Sequence, residues 1–565
     1  MALTKNFAKT TASIGYNSSA TSITLQTNDG AKLPTTTPFF LTWWDETNYP
    51  DPSDDPNVEI VLVTAVATDT LTVTRGQQST AATSKNTGGA TYRLALNPTA
   101  YDFGYLPLVS SSSDIIYVDA NNGEDSTAQR GNPFRPYQTF ATAWAKITSG
   151  DTLIINPGTY TITPVTGSNS STDNAPFKIA SLTNVTIKGV GFPVIYGAGD
   201  GCWFSIYNSS DIHIEGIIFR GDGTHTVAST ANPIFAMWDI RPTATTSDVS
   251  WVNCRFEDYR NHAIAGLFAP KPHSRLKVLG CHFQGGGQFV IGTANSDGAA
   301  VVSLGSDVLV SGCTFQNILR GIELEGEGPH RGVTITNNTF TNIWEFGIMT
   351  FAGFGDETHF SRVTITGNTF RSVLASNAPA AFSGDASAFI MTGGTEYVIG
   401  SNVFENCKNG IVGNATAADI FHINVHGNIF QTVQLPIQFF ASEADVTAGR
   451  RVEQINVTGN TSWAGNGSGM RFRGQNIQVV GNIINGHNDE GILLLNSGTT
   501  AVNPSYIVIR SNQIGNGPLS GFCDYGVEIQ SNFHGVLVTD NDIRNINTSA
   551  LNDLGTGTVN RNNDI

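Results

Sequence analysis

Apolar and polar residues alternate along roughly the last 350 residues of the chain, and the alternation comes in copies. The plainest pair is Val333–Phe340 (VTITNNTF) and Val363–Phe370 (VTITGNTF). Each predicts a strand with Val and Ile on one face, closed by a tight turn and a terminal Phe. The same grammar recurs upstream from Ile212–Phe219 (IHIEGIIF) and downstream to Val536–Ile543 (VLVTDNDI). Equivalent turn residues Cys254, Cys281, Cys313, Asn338, Asn368 and Asn402 follow one another at steps of 25 to 34 residues. Strands of fixed length joined by turns of variable length predict a parallel β-helix rather than a leucine-rich or helical repeat.

Most copies have a partner strand upstream that opens on Gly, as in Gly321–Glu325 (GIELE), Gly347–Phe351 (GIMTF) and Gly491–Leu495 (GILLL). Read in register, the inside holds Val, Ile and a Phe column from Phe219 to Phe430, which becomes Ile at Ile484, Ile514 and Ile543. The turn column holds Asn from Asn338 to Asn541, and Cys254, Cys281 and Cys313 in the upper coils. Stacked amides predict a coil-to-coil hydrogen-bond ladder. Three thiols in a row cannot pair evenly, so they are expected as buried core.

Ahead of the repeat, Pro136–Ile147 (PYQTFATAWAKI) places Phe140, Ala143, Trp144 and Ile147 on one helical face. This helix is expected to plug the open end of the solenoid. Val109–Ser113 (VSSSS) reads as a linker. Before it lie short strands with turn punctuation, including Phe39–Trp44, Glu59–Val63 and Thr70–Arg75, which predict a small β domain. The organisation is therefore an N-terminal β domain over residues 1–108, a linker, first strand and capping helix over 109–151, and the solenoid over 152–565.

Composition agrees with an all-β chain of 565 residues: charged residues are only 13%, and Gly alone numbers 60. The net charge of −16, with no basic block, speaks against a nucleic-acid partner. No apolar run is long enough for a membrane span, and the N-terminus shows no Sec signal. Six cysteines are too sparse for a disulfide framework. No metal or other cofactor is expected. Trp43 and Trp44 beside the acidic, Pro-containing loop of Asp45, Asp51, Asp54 and Asp55 carry two readings: a sugar platform or calcium loop, or one core and one interface Trp beside a solvated loop.

Two stretches resemble known families. TSITLQTNDGAKLP, followed by EIVLVTAVATDTLTVTRG and GQQSTAA, is similar to the small β modules at the N-termini of phage tail fibres and other virion fibre proteins. YVDANNG and NPFRPYQTFATAWAKITSGDTLIINPGTYT resemble the opening segment of pectate-lyase-like right-handed β-helices. The resemblance implies a virion fibre or tailspike, made in the host cytoplasm. Residues 1–108 would dock on phage tail or capsid proteins, and the right-handed single-stranded parallel β-helix would meet host cell-surface polysaccharide. Such proteins are commonly parallel homotrimers, and outward Met349, Phe351, Phe440, Leu493 and Leu495 are expected to face the threefold axis. The chain ends on a repeat turn at Asp564 and Ile565, where many tailspikes continue into a further domain.

The alternative to recognition alone is a polysaccharide depolymerase, hydrolase or lyase. Glu323 and Glu325 project on one strand face, and Asp356 and Glu357 lie in a loop one coil on. Together they are the candidate catalytic acids, since glycoside hydrolysis needs a carboxyl pair. Phe351, His359, Arg471 and Arg473 are the candidate substrate contacts, the arginines neutralising a uronate if their groove is shared with the acids. The solenoid contains neither the DD and GHG set of polygalacturonases nor the WiDH of pectate lyases.

Overall fold

The computed structural model describes residues 8–564 apart from 36, 86–87, 97–113, 164–174, 199–201, 224–225, 228–235, 241–245, 267–272, 291–295, 304, 326–329, 352–359, 379–384, 497–505 and 516–522. It contains two compact units, Met1–Ser112 and Ser113–Ile565.

The first unit is a single antiparallel sheet of six strands: β1 (Lys9–Thr11), β2 (Ser22–Thr24), β3 (Phe39–Asp45), β4 (Glu59–Ala67), β5 (Thr70–Gln77) and β6 (Tyr92–Ala95). Their order is β1-β6-β3-β4-β5-β2. Val61, Val63, Leu71, Val73 and Leu41 alternate into its core. Both Trp43 and Trp44 are buried, and the Arg75 guanidinium lies 4.8 Å from the Trp43 ring centroid. Arg75 in turn bonds Glu59 at 2.6 and 2.7 Å. A buried carboxylate with a bidentate arginine is the form in which a charge is kept inside a small core. Neither indole is therefore open to stack on a sugar.

The second unit is a right-handed parallel β-helix. One face stacks strands from Ile115–Val118 through Thr183–Gly189 and Val333-containing His330–Thr336 to Val559–Arg561. A second face carries short strands such as Arg255–Glu257 and Ile429–Gln431, and a third carries strands such as Ser387–Met391 and Glu490–Leu494. Two long strands, Thr314–Glu325 and Thr339–Phe351, run through the corner and belong to both of the last two faces.

The turn column is the ladder foreseen from sequence. The Asn402 amide donates to Ile365 O at 2.9 Å and to Asn428 Oδ1 at 3.0 Å, while its own Oδ1 accepts from Asn368 N at 2.9 Å. The residue before each Asn is left-handed, as at Asn337, Gly367, Ser401 and Gly427, which explains the Gly, Asn and Ser found there. The cysteines keep the same acceptor in the coil below: Cys254 Sγ contacts Ile214 O, Cys281 Sγ contacts Trp251 O, and Cys313 Sγ contacts Val278 O at 3.4 Å. All six cysteines are free and buried.

The Phe column stacks nearly face to face from Phe256 to Phe430, with centroids 4.6 to 5.0 Å apart. This stack also explains the glycine that opens the partner strands as far as Gly410, and the Ile column does the same below it, where a Cβ on Gly491 would stand 2.4 Å from Ile514. A Cβ on Gly321 would stand 2.7 Å from the Phe340 ring, and one on Gly347 2.8 Å from the Phe370 ring. The stack breaks at Ser462, where His487 fills the space: its Nε2 lies 2.7 Å from Ser462 Oγ, and Gly465 leaves room for the ring. At the upper end a short helix, Phe140–Trp144, buries Phe140 and Trp144 against Phe177, Phe204 and Trp238. It is shorter than the sequence pattern predicts, because Ala145 already ends it and Ile147 packs from the following turn.

Two outcomes follow. Asn402→Ala strands the Asn368 N–H and the Ile365 carbonyl in the core, and is expected to cost about 2–4 kcal/mol. Asn402→Cys, which can retain one donor to Ile365, is expected to cost less; denaturant midpoints that rank the two the other way would contradict the ladder. Burial pushes the His487 imidazole down from 6.5 to about 4. A folded-state value below the unfolded one means that stability is intact above pH 6.5 and falls as the pH drops towards 4, by about 3 kcal/mol. Urea midpoints at pH 7 and 4.5 should show this extra acid sensitivity in the native chain and lose it in His487→Phe.

Candidate functional site

Along the third face the outward side chains form one row, read directly from strand register: Val302, Glu323, Met349, Ile390, Val412, Gln438, Arg471, Leu493 and Glu528. Adjacent strands lie ~4.8 Å apart, so each outward side chain is flanked above and below by the next. Outward therefore does not mean exposed. Glu323 is only 3% exposed and Leu493 likewise 3%, while Met349, Phe351, Phe440 and Leu495 are half-buried. The expectation of an open apolar stripe is corrected accordingly for Leu493.

Glu323 also does not stand as a free acid. Its two carboxylate oxygens accept from Arg320 Nη1 at 3.1 and 3.2 Å, and Arg320 Nε donates to Glu345 Oε2 at 2.6 Å. The triad forms because Arg320 and Glu323 sit three apart on one strand, while Glu345 comes from the next coil, where register shifts between Ile318 and Arg320. A carboxylate held this way is occupied by its ion pair and closed off from a ligand at the surface.

Glu325 ends the same strand opposite Phe351, and its side chain lies outside the described residues, as do Asp356, Glu357 and His359. Arg471 is half-buried and its Nε donates to Ser468 Oγ at 3.0 Å. Arg473, expected to point outward, is 1% exposed and donates from Nη1 to Ala441 O at 2.9 Å. Register puts Arg471 five strands from Glu323, at ~24 Å. The arginines and Glu323 do not share a groove.

A different site emerges at the corner between the second and third faces. The turns of four successive coils enclose a groove of about 420 Å³ lined by Leu374, Ala375, Ser376, Asn406, Cys407, Lys408, Thr432, Gln434, Ala464 and Asn466. Ser376, Asn406, Thr432, Gln434 and Asn466 are exposed. Cys407 forms the floor, and burial pushes its thiol up to about 12, so it is no nucleophile. The Lys408 ammonium pairs with Asp385, Asn406 Nδ2 donates to Ser372 Oγ at 3.2 Å, and Asn488 donates to Asn466. No carboxylate is among the lining residues described. Directly before Ala464 stands Trp463, 44% exposed, and Ile429 at 41% projects from the neighbouring strand of the same face. Sequence reasoning passed over this corner because it lies in the turns, whose lengths vary from copy to copy. The one signal was Trp463, at the position that Glu405, Gln431 and Asn485 hold in adjacent coils. Among the described residues no His, Cys, Asp and Glu cluster assembles a metal site.

With this geometry in place, the family described as "Right handed beta helix region" matches residues 165–370 and 271–434. The chain is similar in fold to a variant of the tailspike protein of E. coli bacteriophage HK620 in complex with pentasaccharide, at 14% identity and TM-score 0.44 over 73% of this chain and 74% of that one. It is also similar to the catalytic unit of an α-1,3-glucanase from Streptomyces thermodiastaticus, at 12% identity and TM-score 0.39 over 99% and 89% of the two chains. The lacto-N-biosidase from Eubacterium ramulus shows 11% identity and TM-score 0.39 over 80% and 68%. No curated protein sequence matches the chain. No helix among the described residues is long and apolar enough to cross a membrane.

Glu323→Gln keeps the shape of the side chain and removes its charge, taking one carboxylate from the Arg320 ion-pair cluster. It is expected to lower stability by about 1–3 kcal/mol in a denaturant titration. No change in midpoint would mean that the triad contributes nothing to the fold.

Proposed function

We propose that this protein is a fibre-type virion protein that recognises host-surface glycan through its β-helix and does not cleave it. The observation that carries this reading is the state of Glu323: of the four candidate acids it is the one whose side chain is described, and it is buried and paired with Arg320. A carboxylate in that state serves architecture, whereas the corner groove offers exposed amides and hydroxyls on a rigid frame, the chemistry that hydrogen-bonds sugar hydroxyls. The likeness of the runs within residues 21–82 to virion fibre modules supports attachment to a particle through the first unit.

The full-length protein incubated with capsule or O-antigen polysaccharide should retain the polymer on a pull-down and release neither new reducing ends nor unsaturated uronates. Oligosaccharide release that disappears in the Glu323→Gln/Glu325→Gln double variant would replace this reading with a depolymerase. Failure to retain any surface glycan would end the recognition reading altogether.

A further inference from the structure

We infer that the corner groove is an oligosaccharide subsite selective for uncharged sugars, with Trp463 as its stacking platform. This rests on the glycan-recognition reading above and specifies where and what the protein binds. The groove runs along the solenoid axis across four coils, or about three strand spacings, ~14 Å, so it accommodates a short linear segment rather than a single ring. Its polar lining pairs donors with acceptors: Asn406, Gln434 and Asn466 offer amides and Ser376 a hydroxyl. That mixture suits sugar hydroxyls, which both donate and accept.

The charge pattern narrows the ligand further. Among the described lining residues the one cation is Lys408, and its ammonium already pairs with Asp385. A uronate or sialate entering here would lose hydration without gaining an unpaired cation, and it would do so against a chain of net charge −16. An uncharged sugar meets neither cost. The flat apolar surface that a pyranose ring presents needs an aromatic partner, and the exposed Trp463, next in the chain to the lining residue Ala464, supplies one; Gln431 is its cross-strand neighbour, with the exposed Ile429 two residues back along that strand. A lone exposed indole on an otherwise polar strand has no structural role to explain it, since the core columns are complete without it.

The test is direct binding of the full chain to two matched panels, neutral hexose and N-acetylhexosamine oligosaccharides and their uronate-containing counterparts, each at low and high salt. Binding to neutral members is expected, with little salt dependence. Trp463→Ala should weaken it by about tenfold or more, and Trp463→Phe should restore part of it. Gln434→Ala should also weaken binding, and all three variants should keep the native melting temperature because both side chains are exposed. Preference for the uronate panel with steep salt dependence overturns the proposal. Undiminished binding by both alanine variants overturns it as well, yet leaves glycan recognition standing with its site elsewhere. Absence of binding to either panel removes the recognition reading and this inference with it.

Discussion

From Cys254 to Asn541 each coil of the solenoid presents a hydrogen-bonding group at the same place as its neighbours, because the turn side chains bond across coils. Asn428 illustrates the constraint: its Oδ1 accepts from Asn402, its amide donates to Asn460, and the same amide reaches the Ile399 carbonyl. A buried amide with one neighbour missing leaves donors or acceptors unsatisfied in a dry core, which costs more than the bond contributes. From Cys254 onward the column changes residue type with a donor kept in the same place, as the three cysteines do, while one coil earlier the buried apolar Ile217 holds the position. The Phe stack obeys the same rule by volume: it ends only where Ser462 and Gly465 together make room for the His487 ring.

This constraint sorts the molecule into what is fixed and what is free. Inner columns are committed to the fold, and even the outward row of the third face is largely shielded by its own neighbours. Variation is concentrated at the corners and in the inserted turns. There the backbone of each coil is still held rigidly by the ladder, yet the side chains answer to solvent. Groove residues Gln434 and Asn466 thus sit on a stiff frame without being part of it, an arrangement that limits the entropy lost on binding.

The acid cluster shows where linear reasoning stopped. The period of two correctly put Glu323 on the outer side of its strand, but alternation says nothing about an arginine three residues earlier or a glutamate one coil on. Arg320 and Glu345 meet Glu323 only because strand register brings their coils together. Arg471 and Glu323 read as candidates for one groove when only the sequence was in hand. Counting strands through the register separates them.

The sequence by itself determined the all-β class, the solenoid, its inner Val, Ile and Phe columns and the Asn ladder, because each follows from local alternation repeated many times. It also marked the glycine before each partner strand, without giving the reason. Only the tertiary structure decided that those glycines make way for the stacked Phe and Ile columns, that Arg473 and Leu493 are buried, and that Trp463 stands open next to the groove residue Ala464. These properties belong to contacts between coils. Residues some thirty positions apart meet there, and turns of unequal length set which of them do.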